Sequence, residues 1–450
     1  MLHSACLAVP ESRLISSLTT TEPLTEVFAD AAVLQRMLDV EAALARAQAS
    51  LGLMPSTAAR VIEDAARADR YDLAVLAREA RVSATPVVAL VDMLTSRVAE
   101  VDASAAAYVH VGATSQDVSD TALVLSIRAA IDILQRDHTT LVESLHTLSD
   151  RHAETVMIGR TLLQPATPIT FGLKAAGWCA ALDRSWRRVT TASTEGLVLQ
   201  FGGAAGTLAA SGSRGLDLAA ALARELELPL PDAPWHTHRD RLAAIITALG
   251  IYGASLGKMA TDIALLMQAE VAEVFEPGGR SSTMPQKRNP AGCAIVLACA
   301  TRLPGQVASY LAAMSQEHER AVGAWHAEWP IVCDVLQTSG SALAAAATMV
   351  PRLEVDASRM RANLLATRGT VYAERARVLL TIALGRARAQ TVMSDALARS
   401  RDLGEPLGAA LAALPEAAQA LASHPDLLAG TDNYLGSAES LRQRLLQRCP

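Results

Sequence analysis

Aromatic side chains are scarce: four Phe, five Trp and six Tyr make up 3% of 450 residues. Hydrophobic residues nevertheless reach 51%, and Ala dominates long stretches. A β-sandwich core draws on Val, Thr and aromatics, so this balance points instead to helices packed closely through small side chains. Excess positive charge is also lacking, the formal net charge being −6. Such a chain is ill suited to neutralise a phosphate backbone, which argues against nucleic acid as a partner. Small anionic substrates stay open, because local Lys and Arg clusters act within an acidic chain. Cys6, Cys179, Cys293, Cys299, Cys333 and Cys449 form no C-x-x-C pair and no Cys/His cluster, so no metal site is expected. Scattered thiols of this kind read as small apolar residues in a reducing compartment. The stretch 1–11 has no basic segment followed by a sustained apolar run. Later apolar runs are broken by Arg, Asp, Lys or Gln before the roughly 20 residues of a membrane span. The expectation is a soluble, cytoplasmic protein with no membrane partner.

Helical period is abundant. From Asp240 to Phe275 no proline intervenes, and Leu242, Ile245, Leu249, Tyr252, Leu256, Met259, Ile263 and Leu266 recur at alternating spacings of three and four. That is a heptad seam. As one helix the segment would be about 50 Å long, and a helix of that length needs partners along it. A long bundle completed by other subunits is the simplest cover. Further long helices are expected at about 115–152, 166–195, 290–314 and 329–349. Shorter ones precede residue 110, with 31–51 the clearest, and follow residue 350. The expected fold is all-α, in three helical domains: 1–110, a central long-helix bundle over 111–350 that carries the loop 278–290, and 351–450.

Polar, glycine-bearing clusters interrupt the helices. His110-Val-Gly-Ala-Thr-Ser-Gln-Asp117 opens a long helix. Thr114 or Ser115 suits an N-cap and Asp117 the first turn, and the same N–H groups and hydroxyls suit a carboxylate ligand. Gly159 to Pro168, with Thr161 and Gln164, reads as loop chemistry. Phe201-Gly-Gly-Ala-Ala-Gly-Thr207 follows no strand and lacks G-x-G-x-x-G spacing, which excludes a dinucleotide loop. Trp235-His-Thr-His238 is a weak metal signal. Glu317-His-Glu-Arg320 with Trp325-His-Ala-Glu-Trp329 reads as a solvated face with a pocket wall. The segment Ser281-Ser-Thr-Met-Pro-Gln-Lys-Arg-Asn-Pro290 is kept out of a helix by Pro285 and Pro290 and hinged at Gly278-Gly279. It has the parts of a lid, with a proton-transferring Ser281 and with Lys287 and Asn289 for carboxylate charge. A basic surface loop is the equally available reading.

Ser281 to Pro290 resembles the signature loop of the fumarase/aspartase superfamily, G-S-S-x-M-P-x-K-x-N-P. The segments Thr114-Ser115-x-Asp117, Gly159-Arg160-Thr161 and Gly202 to Thr207 follow the order of the superfamily's other shared regions. Met37 to Arg46, Tyr108 to Asp117, Leu199 to Ala204, Pro234 to Thr237, and Gln316 to Arg320 through Trp329 are most similar to its cycloisomerase branch. The resemblance implies three helical domains, a homotetramer, active sites drawn from several subunits, and no cofactor. It implies lactonisation of a small tricarboxylate, 3-carboxy-cis,cis-muconate, in protocatechuate catabolism. Ser281 would deliver the proton, Lys287 and Asn289 would hold carboxylate charge, and Thr114 and Ser115 would anchor a second carboxylate. His110, Thr161, Gln164, His238 and Arg320 are the remaining binding candidates. Alternatives are β-elimination of a succinyl substrate in the manner of adenylosuccinate lyase, or a non-catalytic structural homologue.

Two positions depart from the pattern. Arg280 stands where the family has Gly, and apolar Leu162 and Pro165 stand where relatives carry a general-acid His. A carboxylate leaving group or nucleophile, with a conjugate-acid pKa of about 4, gains little from such an acid at neutral pH. An amine leaving group needs one, so the departure favours lactonisation. His238 or His110 is expected to supply any remaining polar role.

Overall fold

The computed structural model describes residues 13–423 and 434–447. Cys6, Cys449 and the stretch 1–11 considered above lie outside them. The principal elements are α1 (Asp30–Ser50), α2 (Ser115–Arg151), β1 (Val156–Thr161), β2 (Gln164–Thr170), α3 (Phe171–Gly196), α4 (Asp240–Leu266), β3 (Val274–Phe275), α5 (Ala291–Ala313), α6 (Ala324–Met349), β4 (Glu354–Val355), α7 (Ala357–Ala366), α8 (Ala373–Leu384), α9 (Arg386–Leu403) and α10 (Leu407–Ala412). The architecture is all-α, with two short antiparallel ribbons, β1–β2 and β3–β4.

The chain folds as two compact units, each drawn from three stretches. The first comprises Met1–His138, Ser185–Gly257 and Ile295–Ala344; the second comprises Thr139–Arg184, Lys258–Ala294 and Ala345–Pro450. In the first unit the α4 seam is buried as its period requires: Leu242, Ile245, Leu249, Tyr252 and Leu256 are all at 0% exposure. A second stripe on α4 explains how α5 approaches it. A Cβ on Gly250, Gly253 or Gly257 would meet Val307 at 2.7 Å, Leu303 at 2.1 Å or Ala300 at 2.8 Å. Contacts that climb α4 as they descend α5 make the pair antiparallel, and glycine is what lets the two backbones close. In the second unit the C-terminal helices α8, α9 and α10 bury Leu380, Val392, Leu407 and Leu411 together.

The helix expected over 240–275 ends at Leu266. Glu273 decides this: its buried carboxylate accepts two bonds from Arg160, at 2.9 and 2.7 Å, and one from Asn363 at 2.8 Å. Its N–H returns to the carbonyl of Leu266, Ala272 takes φ 51°, and Val274 pairs with Val355. These partners lie far away in sequence and outweigh local helix propensity. The segment 156–170, expected as loop followed by helix, is instead a β-hairpin whose tip is Leu162-Leu163. By length and composition alone, α4, α5 and the helical stretch Ala324–Arg352 are apolar enough to cross a membrane, contrary to the expectation from broken runs. The four described cysteines are free thiols, with Cys179, Cys293 and Cys299 buried.

Candidate active site

Three of the candidate residues sit where α2 begins, in the first unit. Thr114 holds the N-cap position, and its own N–H donates to Asp117 at 3.1 Å, the one arm of a capping box that is formed. Asp117 is 1% exposed and also accepts from the N–H groups of Gly202 at 3.1 Å and Gly203 at 2.8 Å, and from the Gln200 amide at 3.3 Å. Burial pushes its carboxyl up to about 6 against these bonds and the nearby Arg320 charge. Asp117 therefore ties the 202–203 turn to the helix start. The hydroxyls of Thr114 and Ser115, both half-buried, bond no protein group among the described residues. They remain available beside a helix N-terminus.

Arg320, expected to face substrate, is committed to the protein here. It donates to the Gln116 carbonyl at 2.8 Å, to Ala204 O at 3.3 Å and to Gly203 O. Gln116 in turn donates to the carbonyl of His236 and to Asp120. Below this layer is a charge cluster that no local pattern announces. Arg239, Asp120 and Glu328 are all at 0% exposure. The guanidinium reaches Asp120 at 2.7 and 3.1 Å and Glu328 at 2.7 to 3.1 Å, and lies 4.7 Å from the Trp235 ring centre. Trp325 donates to Asp120 at 2.9 Å, and Gln316 and Tyr310 donate to Glu328 at 2.6 and 3.3 Å. The motif Trp325 to Trp329, read as a solvated face with a pocket wall, thus buries its Glu. Trp329 does line an apolar cavity of about 170 Å³, with Phe28, Met37 and Cys333.

The two histidine candidates differ. His238 is exposed and its backbone bridges Ser315. His110 takes φ 61° and sets Nδ1 2.5 Å from the buried Glu41 carboxylate on α1. Burial opposes charge on this ring, and the bond to Glu41 overcomes it, so its pKa lies above the usual histidine value. His236, read in the sequence only as half of a weak metal signal, is buried with Nδ1 unpartnered, and burial together with Arg320 keeps its pKa low.

The other candidates lie in the second unit. Thr161 and Gln164 are paired across the hairpin tip and exposed. Between them Leu162 and Leu163 take φ 50° and 63° and are 97% and 72% exposed. Two leucines in the left-handed region at a solvent-facing tip are a costly arrangement, and stored strain of this kind concentrates at functional segments. No acid or base occupies either position.

The loop 278–290 is fastened at its base and free above it. Asn289 N–H donates to Gly279 O at 2.9 Å, and a Cβ on Gly279 would fall 1.9 Å from Asn289 O. Arg288 stacks over Phe275 and pairs with Glu354 at 2.8 Å. Glu276 caps α5 through the N–H groups of Gly292 and Cys293 at 2.7 and 2.8 Å. Ser281 Oγ accepts from the N–H groups of Met284 at 3.0 Å and Thr283 at 3.3 Å. Lys287 is exposed, with no protein partner for its ammonium among the described residues. Arg280 bridges Arg288 through its backbone without positive φ, so nothing here requires the family's Gly.

A family model described as Lyase matches residues 17–305. The 3-carboxy-cis,cis-muconate cycloisomerase of Bradyrhizobium diazoefficiens is 45% identical over 442 residues, 97% of this chain and 98% of that protein. The nitrosuccinate lyase of Streptomyces davaonensis is 41% identical over 450 residues, covering 97% of this chain and 95% of its own. Among solved structures, the 3-carboxy-cis,cis-muconate lactonizing enzyme of Pseudomonas putida superimposes with a TM-score of 0.91 at 44% identity, covering 97% of this chain and 98% of that one.

Proposed function

The chain belongs to the lyase family whose model it matches, the fumarase/aspartase superfamily, and from that premise we propose that it cycloisomerises 3-carboxy-cis,cis-muconate. One substrate carboxylate adds across a conjugated double bond to close a lactone, and a proton is delivered to the neighbouring carbon. Counted from the carboxylate form, closure takes up one proton, which Ser281 delivers and then regains from solvent; no other reactant is needed. The observation that carries this reading is the 45% identity to a cycloisomerase across 97% of the chain. The apolar hairpin tip agrees with it. A reaction in which a carboxylate adds or leaves has no need of an acid at Leu162 or Pro165.

Each role follows from local chemistry. Ser281 delivers the proton, and the N–H groups of Thr283 and Met284 on its Oγ stabilise the oxygen that then carries charge. Lys287 neutralises the carboxylate conjugated with the carbanion, and the Asn289 amide donates a hydrogen bond to it. Thr114 and Ser115 bind a second carboxylate at the start of α2. Thr161, Gln164 and His238 are exposed polar groups available for further contacts, whereas Arg320 shapes the site through Gln116 and the 203–204 carbonyls. The pathway implied is breakdown of protocatechuate, in the cytoplasm. A homotetramer is supported by α5, an apolar helix whose Ala294, Ala298, Ala308 and Leu311 are exposed, and light scattering of the purified protein checks it.

The test follows loss of diene absorbance with 3-carboxy-cis,cis-muconate, with nitrosuccinate and adenylosuccinate in parallel. Turnover of the muconate, reduced at least about 100-fold in Ser281→Ala, is expected. Turnover of either other compound in its place would overturn the reading.

A further inference from the structure

One face of α1 carries two buried polar side chains seven residues apart among alanines and leucines: Glu41 at 2% and Gln48 at 4% exposure. Both reach the same short segment. Gln48 donates to the carbonyl of Val111 at 2.7 Å, and Glu41 meets His110 Nδ1 at 2.5 Å. Burying a carboxylate on an apolar face is costly unless it is paired, and His110, when protonated, is the partner that Glu41 faces. His110 in turn takes φ 61°, in the left-handed region that His visits more readily than most side chains. Its ring is therefore clamped at one nitrogen. At the other, Nε2, no protein group bonds it among the described residues, and the side chain keeps 18% of its surface open. A carboxylate that accepts from Nδ1–H orients the ring and favours its imidazolium form, whose far Nε2–H is then left to act on something else.

We propose that Glu41 is a positioning residue that holds His110 with Nε2–H presented to a substrate carboxylate, so that the pair forms an anion subsite beside the start of α2. This rests on the reading above in taking the ligand to be a polycarboxylate. The open Thr114 and Ser115 hydroxyls lie four and five residues further along the same segment. His238, exposed and without a carboxylate partner, has no such arrangement. The charged groups facing the His110 ring are Glu41 on α1 and Asp117 in the first turn of α2, and Asp117 already accepts four N–H bonds. An imidazolium at this position completes a site for a ligand with several carboxylates.

The test uses equilibrium binding of tricarballylate, a saturated tricarboxylate that the protein cannot turn over, alongside steady-state kinetics. Glu41→Gln and His110→Gln should each weaken tricarballylate binding about tenfold or more, and the double variant should be no worse than the worse single one. The kinetic loss should fall more on KM than on kcat. Wild-type affinity should decline as pH rises and His110 loses its proton. Glu41→Gln should move that decline to lower pH, and His110→Gln should abolish it. A Glu41→Gln protein that melts earlier but keeps the wild-type pH profile would reduce Glu41 to a structural role and overturn the proposal. Unchanged affinity in both variants, or no tricarballylate binding by the wild type, would overturn it as well. Because the probe needs no turnover, failure of the proposed reaction leaves these readings intact.

Discussion

Replacing Arg239 by Met removes the cation that faces two fully buried carboxylates. Asp120 and Glu328 would keep only their neutral donors, Trp325 and Gln116 on one, Tyr310 and Gln316 on the other. Deleting one partner of a buried ion pair costs about 3–5 kcal/mol because the survivor is left uncompensated. Two survive here, and their losses overlap, so the expected destabilisation is at least about 4 kcal/mol. That is a large share of the roughly 5–15 kcal/mol that holds a domain folded. Denaturant unfolding followed by circular dichroism measures it. The pH dependence supplies a second arm. Burial already holds the Glu328 carboxyl above the usual range, with Arg239 opposing. Without Arg239 its folded-state value rises further while its unfolded value stays ordinary. A group of that kind contributes most below its unfolded value and loses the contribution as pH rises through the folded one. The variant's deficit should therefore be smallest in mild acid and grow towards neutrality. Replacing all three residues by apolar ones of similar volume should recover most of the loss. A change under about 0.5 kcal/mol, the range of a surface substitution, would refute the reasoning. So would a deficit that shrinks as pH rises.

Burial holds His138 down at about 4, where it stacks on Trp186 at 4.8 Å and meets the Tyr252 hydroxyl at 3.0 Å. Unfolding frees it to titrate normally, so stability should be full above about 6.5 and fall by about 3 kcal/mol as pH drops to about 4; His138→Gln should flatten this part of the curve. Replacing Leu162-Leu163 by Asn-Gly, the pair that a two-residue turn with positive φ favours, should stabilise the hairpin by about 1–3 kcal/mol. Equilibrium unfolding reads the gain, and a loss would mean the leucines are held by contacts that offset their strain. Gly253→Ala places a Cβ 2.1 Å from the end of the Leu303 side chain, so that side chain must leave its place between α4 and α5 at a cost of about 1–3 kcal/mol, visible as an earlier melt.

Much was legible in the chain because helical period is a local property. The seam from Leu242 to Leu266 names, residue by residue, the face of α4 that is buried. The start of α2 at Ser115 follows from a cap and an acid three residues beyond it, and α1 and α5 fall within a residue or two of their expected bounds. The signature loop was likewise legible as a motif. What no window of sequence contains is a partner some 70 to 120 residues away. Arg160 waits for Glu273, and their pairing ends α4 nine residues early; Asp120 and Glu328 become a buried cluster only when Arg239 comes between them. Glu41 and His110, 69 residues apart, look in sequence like an ordinary helix acid and a loop histidine. Composition and period determined that this chain would be long helices interrupted by polar, glycine-bearing loops. Only tertiary structure decided which charges are buried against one another, because the cost of burying a charge is settled by its partner and not by its neighbours in the chain.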